Sequence, residues 1–228
     1  HHFQGGHKME ESKTKRKEED LMNWTDNVVM RALGRVCDFM LLNIMWIICS
    51  IPIITIGAST TALYTVMLKL VKNEEGYIVK GFLGAFKENF KKSTIMWLIL
   101  LAVGIIIGID FRFSAVMEST MRTVFQSIFL VLGAVWLCMV VYVFPLTARY
   151  ENTIKNTFKN AVLLSVAKLP YTVLMLIITA GPVFITLLNT RNLLIGLAVW
   201  IIIGVSLVAW LNSFLLRKVF EIFHTNEN

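Results

Sequence analysis

Apolar runs of membrane-spanning length recur along this chain, and no other feature restricts its fold as far. Runs at about 94–112, 123–147, 170–188 and 193–216 each approach the ~20 residues that cross a hydrocarbon core of about 30 Å as a helix. Hydrophobic residues make up 56% of the 228 positions and charged residues 16%, where soluble domains carry about 25% charged residues. A water-soluble fold has no use for so much apolar surface. The expected class is all-α, a polytopic transmembrane helical bundle.

The net charge of +7 does not point to nucleic acid once it is placed along the chain. Residues 1–20 hold five basic and five acidic side chains, so the surplus lies in short segments between apolar runs. There it reads as a topology signal, with anionic lipid as its second use. Cys37, Cys49 and Cys138 all sit in apolar stretches without CxxC spacing and read as small buried hydrophobes. The opening His1-His2-Phe3-Gln4-Gly5-Gly6-His7 has the look of an affinity-tag and protease-site remnant. The polar residues 8–22 that follow have no periodic apolar face and are expected to form a disordered or frayed cytoplasmic tail. The domain reading is therefore a tag remnant and tail over 1–20 and a single transmembrane domain over 21–228. No cleavable signal peptide is visible.

The first apolar region, residues 28–72, is too long for one span and is broken by Pro52 and Gly57, a chain-turning pair. It divides into two short helices joined at 51–57, giving six spans, or into one kinked span and an interfacial helix, giving five. Lys and Arg concentrate in cytoplasmic loops. Six spans with the N-terminus inside put Arg31, Arg35, Lys69, Lys72, Lys80, Lys87, Lys91, Lys92, Arg149, Lys155, Lys159, Lys168, Arg217 and Lys218 inside, and only Arg112, Arg122 and Arg191 outside. Five spans with the N-terminus inside reverse that bias, and with it outside they externalise the Lys-rich tail. Six spans with both termini cytoplasmic are expected. Each half of the first hairpin is about 15 residues, or ~23 Å of helix, so it either crosses or dips in as a re-entrant hairpin.

Two segments read as amphipathic helices on the cytoplasmic surface. In Lys87-Glu88-Asn89-Phe90-Lys91-Lys92-Ser93, Phe82, Phe86 and Phe90 share one helix face while Lys87 and Lys91 fall on another. Ile154 and Phe158 repeat the pattern in Lys155-Asn156-Thr157-Phe158-Lys159-Asn160-Ala161, with Lys155 and Lys159 alongside. These nine residues are candidate contacts to lipid headgroups or to a partner by helix-in-groove docking. Gly104 and Gly108 form a GxxxG pair expected to serve helix packing, within the bundle or between subunits. Pro52, Gly57, Ser59, Thr60 and Thr61 make a polar hairpin. With Asn43, Gln126, Asn212 and Thr65, these residues suit helix-to-helix hydrogen bonds better than solute binding.

No catalytic, metal or cofactor residues are expected. The acids near spans, Asp38 beside Arg35 and Asp110 beside Arg112, lie at span ends, whereas a proton or ion path places such groups near the midplane. HExxH, GxSxG and a phosphate-cradling glycine loop are all missing from the sequence. Enzyme function is not expected.

The run Cys49-Ser50-Ile51-Pro52-Ile53-Ile54-Thr55-Ile56-Gly57-Ala58-Ser59-Thr60-Thr61-Ala62-Leu63-Tyr64, followed by Leu68-Lys69-Leu70-Val71-Lys72-Asn73-Glu74-Glu75-Gly76-Tyr77, resembles the YesL family of Gram-positive bacterial membrane proteins. So do Phe86-Lys87-Glu88-Asn89-Phe90-Lys91 and Asn152-Thr153-Ile154-Lys155-Asn156-Thr157-Phe158-Lys159-Asn160-Ala161. The similarity covers essentially residues 24–223. It implies a small multi-span protein of the bacterial cytoplasmic membrane, of a kind often encoded beside carbohydrate ABC importers, solute-binding proteins, glycoside hydrolases and two-component regulators. The expected role is an accessory subunit that contacts an ABC permease or ATPase, with lipid as a further partner and oligomerisation open. An independent small-solute transporter, and a scaffold for a sugar-responsive sensor kinase, are the alternatives.

Overall fold

The computed structural model describes residues 3–74 and 76–225, and among them there is no strand. Helix α1 (Phe3–Ser50) is followed by a 3-10 turn at Ile53–Thr55 and helix α2 (Ile56–Val71). Helices α3 (Ile78–Ser114), α4 (Ser119–Arg149), α5 (Ile154–Ala167) and α6 (Leu169–Leu187) follow. Helix α7 (Thr190–Val199) passes through a π-turn at Trp200–Gly204 into α8 (Val205–Thr225). The chain forms two compact units, residues 1–41 and 42–228.

Among the described residues, six helical segments are long and apolar enough to cross a membrane: Lys13–Ser50, Ile53–Val71, Ile78–Ser114, Ser119–Arg149, Leu169–Leu187 and Thr190–Ile222. The all-α multi-span architecture is as expected, with the chain turn at Pro52. Residues 8–22 are helical, as part of α1. No Gly or Pro falls between residues 7 and 33, and Lys15–Glu19 and Arg16–Asp20 stand at i,i+4, a spacing that supports a solvated helix. The first limb of the hairpin is accordingly the end of a long helix. The second limb spans 19 residues, about 28 Å of helix at 1.5 Å per residue, close to a full crossing.

One expectation is corrected: residues 82–93 form no separate surface helix. They belong to the first turns of α3, whose 37 residues run to about 55 Å, so the segment continues its own span. Only the second amphipathic segment is an element of its own, the 14-residue α5, which stops at Lys168 just before Pro170.

Helix α2 is the centre of the larger unit, packing on α3, α4 and α8. In its apolar window 61% of residues are buried, against 11–22% in the other five segments. Its mean hydropathy, 1.4, is also the lowest of the six. Both follow from one cause: lipid-facing positions must be apolar, while positions between helices favour small residues that let backbones approach. Gly57, Ala58, Ser59, Thr61 and Ala62 supply such a face. The outer helices turn their Ile, Leu and Val outward, as with Ile105, Ile106, Leu130, Val131, Ile177 and Leu194.

Candidate functional site

The polar residues of the first hairpin are used to close it. Thr55 sits in the turn, and its hydroxyl lies 2.6 Å from the Cys49 carbonyl and 2.7 Å from that of Pro52. The Trp97 indole N–H donates to the Ile53 carbonyl at 2.8 Å, and that of Trp46 donates to Thr60 Oγ1 at 3.1 Å. Thr61 and Ser93 hydroxyls meet at 2.8 Å between α2 and α3. Ser59 donates back to the Thr55 carbonyl. A Cβ at Gly57 would stand 2.5 Å from the Ser93 carbonyl oxygen and 2.6 Å from Trp97 Cβ, so only glycine permits this approach of two helices. Pro52, by contrast, is exposed at the tip of the turn with Ile51, Ile53 and Ile54. Four of the five hairpin residues are thus brought together in packing, and Pro52 stands apart.

Asn43 has a more specialised position. Fully buried, its amide nitrogen donates to the carbonyls of Trp200 and Ile201 at 2.9 and 2.7 Å. Its amide oxygen accepts from the Ser206 N–H at 3.1 Å. A π-turn disrupts the regular i→i−4 ladder, and here one carboxamide acts as a substitute peptide group, taking two carbonyls and one N–H at the disruption. Trp200 is held in turn, its N–H donating to Thr186 Oγ1 at 3.1 Å and its ring lying where a Cβ at Gly204 would come within 2.8 Å.

A second buried junction links α8, α6 and α2. Asn212 donates to Thr179 Oγ1 at 2.9 Å and to the Tyr64 hydroxyl at 3.3 Å. Between α4 and α6, the Tyr142 hydroxyl meets Thr172 Oγ1 at 2.9 Å, and the latter also reaches the Ser165 carbonyl at 2.9 Å. Buried polar atoms in a dry medium are costly unless paired, and most here are paired. Among the described residues the exceptions are Ser50 Oγ, Thr94 Oγ1, Ser206 Oγ and Asn212 Oδ1.

The aromatic and lysine candidates divide. Phe82 is fully buried and stacks on Phe86 at 6.5 Å between centroids, with Phe86 edge-on to Phe90 at 5.4 Å. Phe82 is therefore core, not a contact for lipid or partner, while Phe90, Lys87 and Lys91 are exposed. On α5, Thr153 caps the helix through the Asn156 N–H, and Thr157, Ala161, Leu164 and Ser165 face inward. Ile154 and Phe158 are half-buried, with Lys155 and Lys159 outside. Of the glycine pair, Gly104 packs under the Trp136 ring, 2.7 Å from where its Cβ would be, and the Trp136 N–H reaches the Leu100 carbonyl at 2.7 Å. Gly108 has open space in place of a Cβ.

Sequence reasoning passed over the tryptophans. Trp46, Trp97, Trp136 and Trp200 each spend their single N–H on another part of the bundle. Their depth is the signal that could have found them, since tryptophan otherwise favours membrane interfaces. A cavity of ≈ 320 Å³ opens between α2 and the start of α3, lined by Thr65, Lys69, Glu74, Tyr77, Lys80 and Gly81 among others. This recess mixes those polar side chains with Val66, Leu70 and Ile78.

Residues 39–111, from the end of α1 through α3, match a family model described as "Protein of unknown function, DUF624". Over 161 residues the chain is 26% identical to the uncharacterised protein YteU of Bacillus subtilis, covering 69% of this chain and 72% of that protein. Over 174 residues it is 24% identical to the uncharacterised protein YesL of the same organism, covering 73% and 82%. No solved structure matches. The matched region contains Asn43, the Gly57 crossing and the recess at Lys69 and Lys80, and the chain as a whole is similar to these two uncharacterised proteins.

Proposed function

We propose that this protein is an accessory membrane subunit of a carbohydrate ABC importer, acting through contacts at its lysine-rich end. The observation that carries this reading is how the polar groups are distributed. Within the spans they are mostly spent inside the protein, on helix-to-helix hydrogen bonds as at Thr61–Ser93, Asn43–Trp200 and Tyr142–Thr172, or on carbonyls of their own helix as at Thr147 and Ser213. The groups left for recognition lie outside the core: the recess at Lys69, Tyr77 and Lys80, and exposed Lys87, Lys91, Lys155 and Lys159. The family resemblance, with its recurrent neighbourhood of sugar importers, supplies the class of partner. On the charge distribution this end faces the cytoplasm, where an ATPase subunit would be met.

The direct test is co-purification from native membranes in mild detergent. Recovery of a permease or ATPase subunit, lost when Lys87, Lys91, Lys155 and Lys159 are changed to Gln, is the expected result. Recovery of the chain with neither subunit counts against it. Cysteine labelling at Gly76, in a background lacking the three native cysteines, reads the orientation, and modification by an impermeant external reagent would overturn it.

A second reading, an independent solute transporter, is favoured by the unpaired Asn212 Oδ1 and Ser206 Oγ in the bundle core. Uptake of sugars by proteoliposomes holding the purified protein alone would establish it over the first.

A further inference from the structure

Three helices deliver cations to one small depression at the lysine-rich end of the bundle. Lys72 is the C-cap of α2, Arg149 is the last residue of α4, and Arg217 lies just past the middle of α8. With Leu68, Phe220 and Glu221 they line a hollow of ≈ 40 Å³. Leu68 and Phe220 are buried and form its apolar floor, and Tyr150 packs edge-on against Phe220 at 5.4 Å.

The charges do not balance. One carboxylate lines the hollow, Glu221, and it is paired with Arg217 Nε at 2.9 Å. Arg217 is held further by its Nη1, which lies 3.4 Å from the Val71 carbonyl at the end of α2. Cations at a helix C-terminus are favoured by the helix dipole, and the ends of α2 and α4 together contribute roughly one negative charge. Three cations against one carboxylate and those two helix ends still leave about one positive charge uncompensated. Such a group of like charges is stable where an anion joins it. The guanidinium of Arg217, fixed by two contacts, is already oriented to donate.

We propose that this hollow binds the phosphate of an anionic phospholipid headgroup. The position favours a lipid over a soluble anion: Lys72 and Arg149 stand at the ends of the spans Ile53–Val71 and Ser119–Arg149, at the level of lipid headgroups, so a headgroup phosphate reaches Lys72, Arg149 and Arg217 while its acyl chains stay in the surrounding bilayer. The site ties together the ends of α2, α4 and α8, and its lipid fastens the central helix to two of its neighbours.

The test is native mass spectrometry of the full chain in mild detergent, titrated with phosphatidylglycerol, phosphatidylcholine and inorganic phosphate. The wild type is expected to bind phosphatidylglycerol at least about tenfold more tightly than phosphatidylcholine, given the attraction each basic side chain exerts on an anionic headgroup. Changing Lys72, Arg149 and Arg217 together to Gln should abolish that preference. The matched control, Lys13→Gln with Lys15→Gln and Lys17→Gln, all exposed, should alter it by less than about twofold, since it removes equal charge elsewhere. Equal loss in both triple variants would show a diffuse surface field and overturn the site. Displacement of the lipid by inorganic phosphate at equal concentration would overturn the lipid assignment. If the triple variant does not fold, Lys72→Gln and Arg149→Gln singly leave the Arg217–Glu221 pair intact. Each is then expected to weaken phosphatidylglycerol binding about threefold or more, and an unchanged affinity in both refutes the proposal.

Discussion

Replacing Asn43 with Leu probes the contact that most depends on tertiary structure. The substitution keeps the side chain similar in size and suits an apolar helix, so an account based on hydropathy alone predicts no loss. The structure predicts otherwise, because Asn43 carries three hydrogen bonds to the π-turn, at 2.9, 2.7 and 3.1 Å. Interhelical hydrogen bonds in membrane proteins average about 0.6 kcal/mol, with an upper value near 1.7. Removing one partner also strands the others, at about 1–3 kcal/mol for a fully buried group. Local rearrangement recovers part of this, so the expected net loss is about 2–4 kcal/mol. The assay is reversible unfolding of the purified protein in mixed micelles. A second variant checks the cause: deleting Ile202 in the Asn43→Leu background removes the extra residue of the π-turn and lets the i→i−4 ladder close on itself. That double change should be more stable than Asn43→Leu alone. A loss below about 0.5 kcal/mol for Asn43→Leu, or no recovery on deletion, would refute the role given to this carboxamide.

Three further substitutions test the packing around it. Gly57→Ala places a methyl against the Ser93 backbone and should cost about 1–3 kcal/mol as overpacking, seen as a lowered melting temperature in detergent. Gly104→Leu should destabilise by a similar amount because Trp136 occupies the space, while Gly108→Leu should be nearly neutral. The opposite order would place the packing role on Gly108, at an interface with another chain. Tyr142→Phe removes the hydroxyl that meets Thr172 at 2.9 Å and should cost about 0.5–1.5 kcal/mol, measured by the same unfolding assay.

The spans were legible because their cause is local. A helix in hydrocarbon needs about 20 apolar residues whatever its neighbours do, so runs such as 123–147 declare themselves, and Pro52 with Gly57 declares the break between α1 and α2. The lysine surplus between spans was equally visible, since charge is excluded from the lipid phase one residue at a time. The period of residues 82–93 does not distinguish a surface helix from the start of a span, because it is the same whether the helix stops or continues. What decides is that Phe82 finds a buried site at the start of α3 and nothing interrupts the backbone through Ser93.

Composition and spacing therefore determined that the chain is an all-α, multi-span membrane protein, where it turns, and which ends carry its charge. Tertiary structure alone decided that the least apolar span, α2, is the central one. It also decided that Gly57 and Gly104 are contact points while Gly108 is not, that Asn43 closes a π-turn more than 150 residues away, and that Lys72, Arg149 and Arg217 share one hollow. The division has a physical reason. Partition between water and lipid acts on each segment independently and leaves its mark in order along the sequence. Helix-to-helix contact depends on which faces meet, and the identity of one residue does not specify the position of another that packs against it.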